Sequence, residues 1–484
     1  MPNSPIYLNF GLEVEPVVRA RIDYAFRVFA AIYNYSVVSD PARAEICCTY
    51  GRQETRPCME REFRIPARYR PRPASEEMPV LEKRRFAGED VFSAHGVDER
   101  TGEPDWLGEI FEWLSASLEL SIRERDAEGR IPFSATVFER QGISPFKPHV
   151  GILMAWMENS LQGNRVVETL QKAKSPISGV DHAVVCSHDI DYYYTHKAAA
   201  MKRLGKNLLI SIASYRSPSF FLSNLEMATG LLRGKATGDY VPRMVEAIES
   251  LGFQSTIFAV AGGIHRRDPN YRVDQIGEHL RDAAGRGFGV GVHASYDSLT
   301  RPGTVKSEKA ALGKILQQQP MGTRQHWLRF GEHKKLYREI SEAGFTYDSS
   351  LGFSETCGFR NGASFAFPPY DFEKERPCSF LEIPLVVMDG SLLQASRAKK
   401  KAPQTLVDQI LGESRRLGWG GVSVLWHNPM EPIQVPEEIN KVFWSSARRQ
   451  KENNESWMSA EEFIKSSLSR YHRAGLLKEI HADA

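Results

Sequence analysis

The sequence predicts an α/β protein in two parts: a distorted (β/α)7-type barrel with C-terminal helices over residues 176–484, preceded by a smaller α/β accessory domain over residues 1–175. Three observations predict it. At 484 residues the chain has the length of two or three domains. From residue 183 onward, short apolar runs alternate with helix-like ones, the rhythm of parallel βα units. Those apolar runs end one after another in ionisable residues, as strands do at the functional face of a barrel.

In chain order, Ile6-Tyr-Leu-Asn-Phe10 reads as a strand. Val18, Ile22, Phe26, Phe29 and Tyr33 follow at helical spacing. Residues 45–50 read as a second strand. The Pro/Arg-rich stretch 56–73, with Arg61, Arg64, Arg68, Arg70 and Arg72, reads as a solvated loop. Trp106, Ile110, Phe111, Leu114 and Leu118 mark an amphipathic helix over 105–120. Seven strands are then expected at 183–191, 254–261, 287–294, 323–328, 346–349, 380–387 and 421–427. Helices are expected between them at 241–251, 273–286, 307–318, 334–343 and 405–417. An open doubly wound sheet is the competing arrangement, but Gly287-Phe-Gly-Val-Gly291 lies inside a strand and not at a strand–helix turn, so it fails as a dinucleotide loop.

Composition excludes some functions. The 62 basic and 60 acidic residues leave a net charge of +2, which gives no reason to expect nucleic acid or an anionic membrane as the main partner. No apolar run approaches the roughly 20 residues of a membrane span. The opening MPNSPIYLNFGLEVEP has neither a basic nor an apolar signal region, and the six cysteines are scattered. Together these predict a cytoplasmic protein with reduced thiols.

The chemistry gathers at the strand ends. They carry His188-Asp189-Ile-Asp191, His293, Arg324-Gln-His326, Asp348 and His427. In an extended segment Asp189 and Asp191 face the same side, and like charges that close favour a bound cation. His293 adds an imidazole, so a carboxylate, an imidazole and a third group would make an open site for a divalent ion, zinc above all. His427 would supply a proton to a departing amine, and Arg324 and Arg329 would hold a carboxylate ionised.

With these residues in view, the chain resembles the polysaccharide deacetylase superfamily, carbohydrate esterase family 4, over about residues 180–475. His188-Asp-Ile-Asp191 is similar to that family's first motif, and Phe258-Ala-Val-Ala-Gly262 to its second strand. His293-Ala-Ser-Tyr-Asp297 stands where a histidine–histidine motif belongs. Arg324-Gln-His-Trp-Leu-Arg-Phe330, Tyr347-Asp-Ser-Ser350 and Leu425-Trp-His427 follow in the family's order. Trp106–Leu120 and Asp126-Ala-Glu-Gly-Arg-Ile-Pro132 resemble the accessory region of a bacterial subgroup. The resemblance implies Asp189 as general base, Arg324 as its orienting partner, His427 as general acid and Asp348 as the residue tuning His427. It implies Asp191 and His293 as metal ligands. Asp297 replaces the second histidine, with His188 or His326 as alternative ligands. The implied activity is removal of an N-acyl group from an amino sugar or glycan precursor. A glycosidase on a related barrel and a catalytically degenerate carbohydrate-binding protein are the alternatives. Tyr192, Tyr193, Tyr194, Trp327, Phe359 and Tyr370 are candidate stacking surfaces for sugar rings.

Overall fold

The structure, a computed structural model, describes residues 4–51, 62–86, 88–99, 102–163, 170–193, 197–213, 218–233, 240–263, 265–269, 271–330, 333–431 and 434–477. Arg61 and Tyr194 lie outside them.

The N-terminal part builds a four-stranded parallel sheet from Pro5–Phe10 (β1), Ser36–Val37 (β2), Ile46–Tyr50 (β3) and Glu62–Ile65 (β4), in the order β2-β1-β3-β4. Parallel neighbours need a crossover, and Pro16–Tyr33 (α1) supplies it, burying Val18, Ile22, Phe26 and Phe29. The antiparallel ribbon Glu82–Phe86 (β5) and Glu89–Ser93 (β6) follows. Next come helices Trp106–Leu114 (α2), Val137–Arg140 (α3) and His149–Leu161 (α4). The expected helix over 105–120 stops early because Ala116 takes a left-handed φ of 55°, after which a separate turn spans Ser117–Glu119.

The second part alternates strand and helix. In order these are His182–Ile190 (β7), Lys197–Ala213 (α5), Pro218–Leu232 (α6), Tyr240–Glu249 (α7), Thr256–Ala259 (β8), Gly277–Gly285 (α8) and Gly289–Ala294 (β9). Then come Thr304–Leu316 (α9), Gly322–Gln325 (β10), His333–Ala343 (α10), Tyr347–Asp348 (β11), a short ribbon of Tyr370–Asp371 (β12) and Arg376–Pro377 (β13), and Leu381–Glu382 (β14). Leu385–Met388 (β15), Asp389–Lys399 (α11), Pro403–Leu417 (α12), Trp419–Leu425 (β16), Glu437–Arg448 (α13), Glu455–Met458 (β17) and Ala460–Arg473 (α14) complete it. The sheet runs β14-β11-β10-β9-β8-β7-β16-β15, all parallel. Its two ends are halves of one stretch. Between β14 and β15 stands Pro384, which has no N–H to offer a ladder; the chain bends there and exchanges one neighbour for the other. Ile383 N donates to Asp348 O at 2.8 Å, and Ser423 N donates to Pro384 O at 2.7 Å. The ring β7-β8-β9-β10-β11-β14/15-β16 therefore closes with seven strand positions, and the sheet is a distorted (β/α)7 barrel. One buried core, with Ile6 and Phe26 at one end of the chain and Phe463 and Leu476 at the other, runs through both parts.

Small residues let the ring close around large ones. A Cβ on Gly291 would stand 2.5 Å from the Phe258 ring, and one on Gly322 would collide with the Tyr347 ring. At the base, Glu461 of α14 accepts hydrogen bonds from Thr256 Oγ1 and Tyr347 Oη, both at 2.7 Å. The start of β16 is tighter still. Trp419, Gly420 and Gly421 have φ of 63°, 82° and 86°, and the β7–β16 register shifts there. A Cβ on Gly420 would collide with the Ala183 backbone. Gly420→Ala is expected to destabilise the protein by about 2 kcal/mol or more, measured as a lower urea midpoint at unchanged slope.

Cys47 on β3 is disulfide-bonded, while Cys48, Cys186, Cys357 and Cys378 are free and buried. Spacing along the chain says nothing about which thiols meet in space, so the reading of all six as reduced thiols fails, and with it one ground for a cytoplasmic setting. Among the described residues, no helix is long and apolar enough to cross a membrane.

Candidate active site

The alternation of β7 decides which of its polar groups enter the barrel. Ser187 and Asp189 point inward, where Arg324 Nη1 donates to Ser187 Oγ at 2.9 Å and to Asp189 Oδ1 at 2.8 Å. His188 points outward against Phe443. Its Nδ1 donates to Trp426 O at 2.6 Å and its Nε2 lies 3.6 Å from Cys186 Sγ. Burial pulls the His188 pKa down to about 4. His188 therefore stays out of the cluster.

Asp191, just past the strand, is the centre of the site. Its Oδ1 is buried without a hydrogen-bond partner, and His293 Nε2 and His326 Nε2 both lie 3.5 Å from it. The three ligand atoms fall within 4.8 Å of one another. Atoms that share one ion at about 2.0–2.2 Å stand roughly 3–3.5 Å apart, so the spacing suits a divalent cation. The far side of each ring supports the same reading. His293 Nδ1 donates to Arg324 O at 3.0 Å, and His326 Nδ1 lies 3.3 Å from Asp268 Oδ1. In the neutral rings both bonds fix the tautomer whose Nε2 lone pair faces Asp191. Asp268 is itself held by the N–H groups of Tyr296 at 2.7 Å and His265 at 2.8 Å.

Local backbone explains how His326 arrives there. Strand β10 ends at Gln325, earlier than the sequence suggests. Trp327 and Leu328 then adopt left-handed φ of 63° and 48°. Such backbone is costly for side chains of this size and persists where the surroundings enforce it. The turn directs His326 inward and leaves Trp327 39% exposed beside it.

On the opposite side, His427 Nε2 lies 3.5 Å from Asp191 Oδ2. His427 Nδ1 donates to Asp389 Oδ1 at 2.9 Å, and His427 N donates to Asp389 Oδ2 at 3.0 Å. Asp189 Oδ2 is 3.6 Å from His293 Nε2. Asp189, Asp191, His293, His326, Arg324 and His427 thus share one pocket at the C-terminal ends of the strands.

Asp348 and Asp297 are not brought there either. Asp348 lies on the outward face of β11, whose neighbour Tyr347 takes the inward position. It accepts from Ser350 Oγ at 2.8 Å and pairs with Glu382. Burial raises both carboxyl pKa values. Asp348 therefore makes no contact with His427, and the partner of His427 is Asp389, at the end of β15. Asp297 sits in the turn after β9, where its carboxylate pairs with Arg301 at 3.4 Å. It is absent from the ligand cluster, and His326 stands in the third place. Asp389 follows the apolar run 380–387 and obeys the strand-end rule that picked out the others. Asp268 lies in an irregular loop and carries no such signal. Arg329 belongs to the rim: its Nε donates to Glu128 O at 2.9 Å, and its Nη1 bonds to Tyr296 O.

The charges balance around the pocket. For Asp191, burial alone would raise the pKa, but His293, His326 and His427 hold it well below the usual carboxylate range. Burial likewise opposes ionised Asp189, and Arg324, followed by His293 and His427, outweighs it. Burial pulls His326 down, yet Asp191 and Asp268 lift it to about 9; for His427, Asp389 and then Asp191 and Asp189 overcome burial and lift it to about 10. Protons on His326 and His427 offset the carboxylates. An incoming cation must displace the proton on His326. Metal uptake at neutral pH is therefore expected to release protons and to weaken as pH falls, by up to about tenfold per unit for each proton displaced. Calorimetry in buffers of different ionisation enthalpy measures this, and a proton-independent affinity between about pH 6 and 8 would contradict it.

No protein-family model matches the chain, and no curated protein does. Solved structures do match. A polysaccharide deacetylase from Bacillus cereus is 10% identical, with a TM-score of 0.30 over 58% of this chain and 91% of that one. A peptidoglycan deacetylase from Bacillus subtilis is 10% identical, with a TM-score of 0.29 over 61% and 95%. A family 4 carbohydrate esterase from Streptomyces lividans, in complex with acetate, is 11% identical, with a TM-score of 0.26 over 55% and 91%.

Proposed function

We propose that the chain is a divalent-metal-dependent deacylase that removes an N-acyl group, acetyl in the simplest case, from an amino sugar or glycan precursor. The observation that carries this reading is the orphaned Asp191 Oδ1 facing two imidazole Nε2 atoms whose Nδ1 atoms are already bonded. Asp191, His293 and His326 would hold the ion, which the donor set suits as zinc. A bound divalent ion would polarise the acyl carbonyl and acidify a water. Asp189, kept ionised by Arg324, accepts the proton of the attacking water. His427, kept protonated by Asp389, delivers a proton to the departing nitrogen across the pocket. Arg324 prevents Asp189 from turning away, because its other donors are committed to Ser349 O at 2.8 Å, Ser349 Oγ at 2.9 Å and Ser423 Oγ at 3.1 Å. Trp327, exposed beside His326, offers a ring face to a pyranose. His326 would supply the third ligand that Asp297 does not, which supports a metal-holding site over a degenerate one.

The test is product analysis. Zinc-loaded protein incubated with N-acetylated chito-oligosaccharides is expected to yield acetate and free amine in equal amounts. Asp189→Asn should reduce turnover by at least about 10³-fold with the fold intact. New reducing ends without acetate would instead mark a glycosidase. Wild-type turnover in Asp189→Asn would remove that residue's role.

A further inference from the structure

Helices α5 and α6 are inserted between β7 and α7, and α5 begins six residues beyond Asp191. The two helices pack on each other with a core of their own: Ala200, Leu204, Ala228 and Leu231, with Tyr192, Met201 and Met227 against it. The seam is small and polar. Asn207 and Ser211 of α5 and Asn224 of α6 are buried in it, and Asn207 Nδ2 donates to Asn224 Oδ1 at 2.8 Å.

The outside is apolar. Leu209, Ile212, Leu222, Leu225 and Leu232 are exposed, at 71%, 63%, 62%, 40% and 74%. Among the described residues only three other large hydrophobic side chains are exposed, Leu12, Val80 and Trp327, so the feature is local to this helical pair. A helical pair in water hides its leucines and solvates its asparagines. This one buries Leu204 and Leu231 but leaves five large aliphatic side chains in water while pairing two buried asparagines, as helices do against lipid, where small residues and paired amides form the contact.

Charge narrows the occupant. On α5, Lys202, Lys206 and Leu209 are spaced four and three residues apart and so lie on one stripe, with Ile212 continuing it. Lys202, Lys206 and Arg233 are exposed, and Arg203 lies over the Tyr192 ring at 4.2 Å. Residues 198–213 and 218–233 hold four basic side chains (Lys202, Arg203, Lys206, Arg233) and one acidic one (Glu226). The near-neutral balance of the whole chain hides this local excess.

We propose that α5 and α6 seat the protein on the surface of an anionic lipid bilayer, with the leucines in the boundary between headgroups and acyl chains and the lysines among the headgroups. At 17 and 15 residues the helices are about 25 and 22 Å long, short of a span, and lie in the plane of the surface. A protein partner would use the leucines equally well but gives no reason for the lysine stripe.

The test floats the full chain with vesicles of phosphatidylcholine alone and of phosphatidylcholine with phosphatidylglycerol. The protein is expected to rise with the anionic vesicles and to be released by salt. The double variants Leu209→Ser/Leu222→Ser and Lys202→Glu/Lys206→Glu are each expected to lower the bound fraction about tenfold. Both change exposed side chains, so thermal unfolding should be unchanged, and the lysine pair keeps the test valid if the leucine pair disturbs folding. Wild-type protein that stays down with both vesicles, or lysine variants that bind as well as wild type, would overturn the proposal. So would a dimer that fails to bind vesicles and that Leu209→Ser/Leu222→Ser dissociates, since a second copy would then cover the leucines.

Discussion

His326→Ala protein is expected to lose its metal, whereas Asp297→Ala protein keeps it. His326 Nε2 stands 3.5 Å from the unpartnered Asp191 Oδ1, while the Asp297 carboxylate is engaged with Arg301. Removing one of the three proposed ligands leaves a two-point site of Asp191 and His293, so affinity should fall by well over about 100-fold. Loss of a group that only orients a ligand costs about 10–100-fold, which is the smaller effect expected for Asp268→Asn, because it frees the His326 ring. Elemental analysis of purified variants and competition against a chelator read both numbers. Metal lost from Asp297→Ala, or retained at wild-type affinity in His326→Ala, would assign the third ligand wrongly.

The second large effect concerns His427, the proposed proton donor. Asp389→Asn is expected to lower kcat by about 10²–10³-fold and to move the alkaline limb of the pH–rate profile downward. The direction follows from the charge. In the proposed reaction His427 acts when protonated, so activity should fall as pH rises through its pKa; Asp389, which accepts from both Nδ1 and N of His427, is the main group lifting that pKa to about 10. An amide in its place keeps a hydrogen bond but removes the charge, so His427 loses its proton at lower pH. Asp348→Asn should leave the limb where it is, since Asp348 faces Ser350 and Glu382. A profile that moved for Asp348→Asn and not for Asp389→Asn would reverse the assignment.

The barrel was legible because seven apolar runs, each bounded by turn residues, can form parallel strands only with helices between them. The strand-end rule also led to Asp189, Asp191, His293, Arg324 and His427, all of which share the pocket. It failed where it named a height along the barrel without a side. Asp348 and His188 sit at the right level but face outward, and only the pairing register separates them from Tyr347 and Asp189. Asp389 stands two residues past the predicted strand 380–387, while the family resemblance points to Asp348 as the partner of His427. Asp268 had no periodic signal, since its position depends on a loop held by Tyr296 N and His265 N. The split of one strand at Pro384 was invisible for a related reason: which neighbour a residue pairs with is a property of the closed ring.

The Arg324 guanidinium touches Ser187 and Asp189 from β7, Ser349 just past β11 and Ser423 from β16, while its own strand is β10. Four staves of the ring thus meet at a single cation. The reactivity of one carboxylate is thereby welded to the integrity of the whole hoop. A partly opened ring would forfeit chemistry before it forfeited shape, so during gradual denaturation turnover should vanish ahead of helical signal.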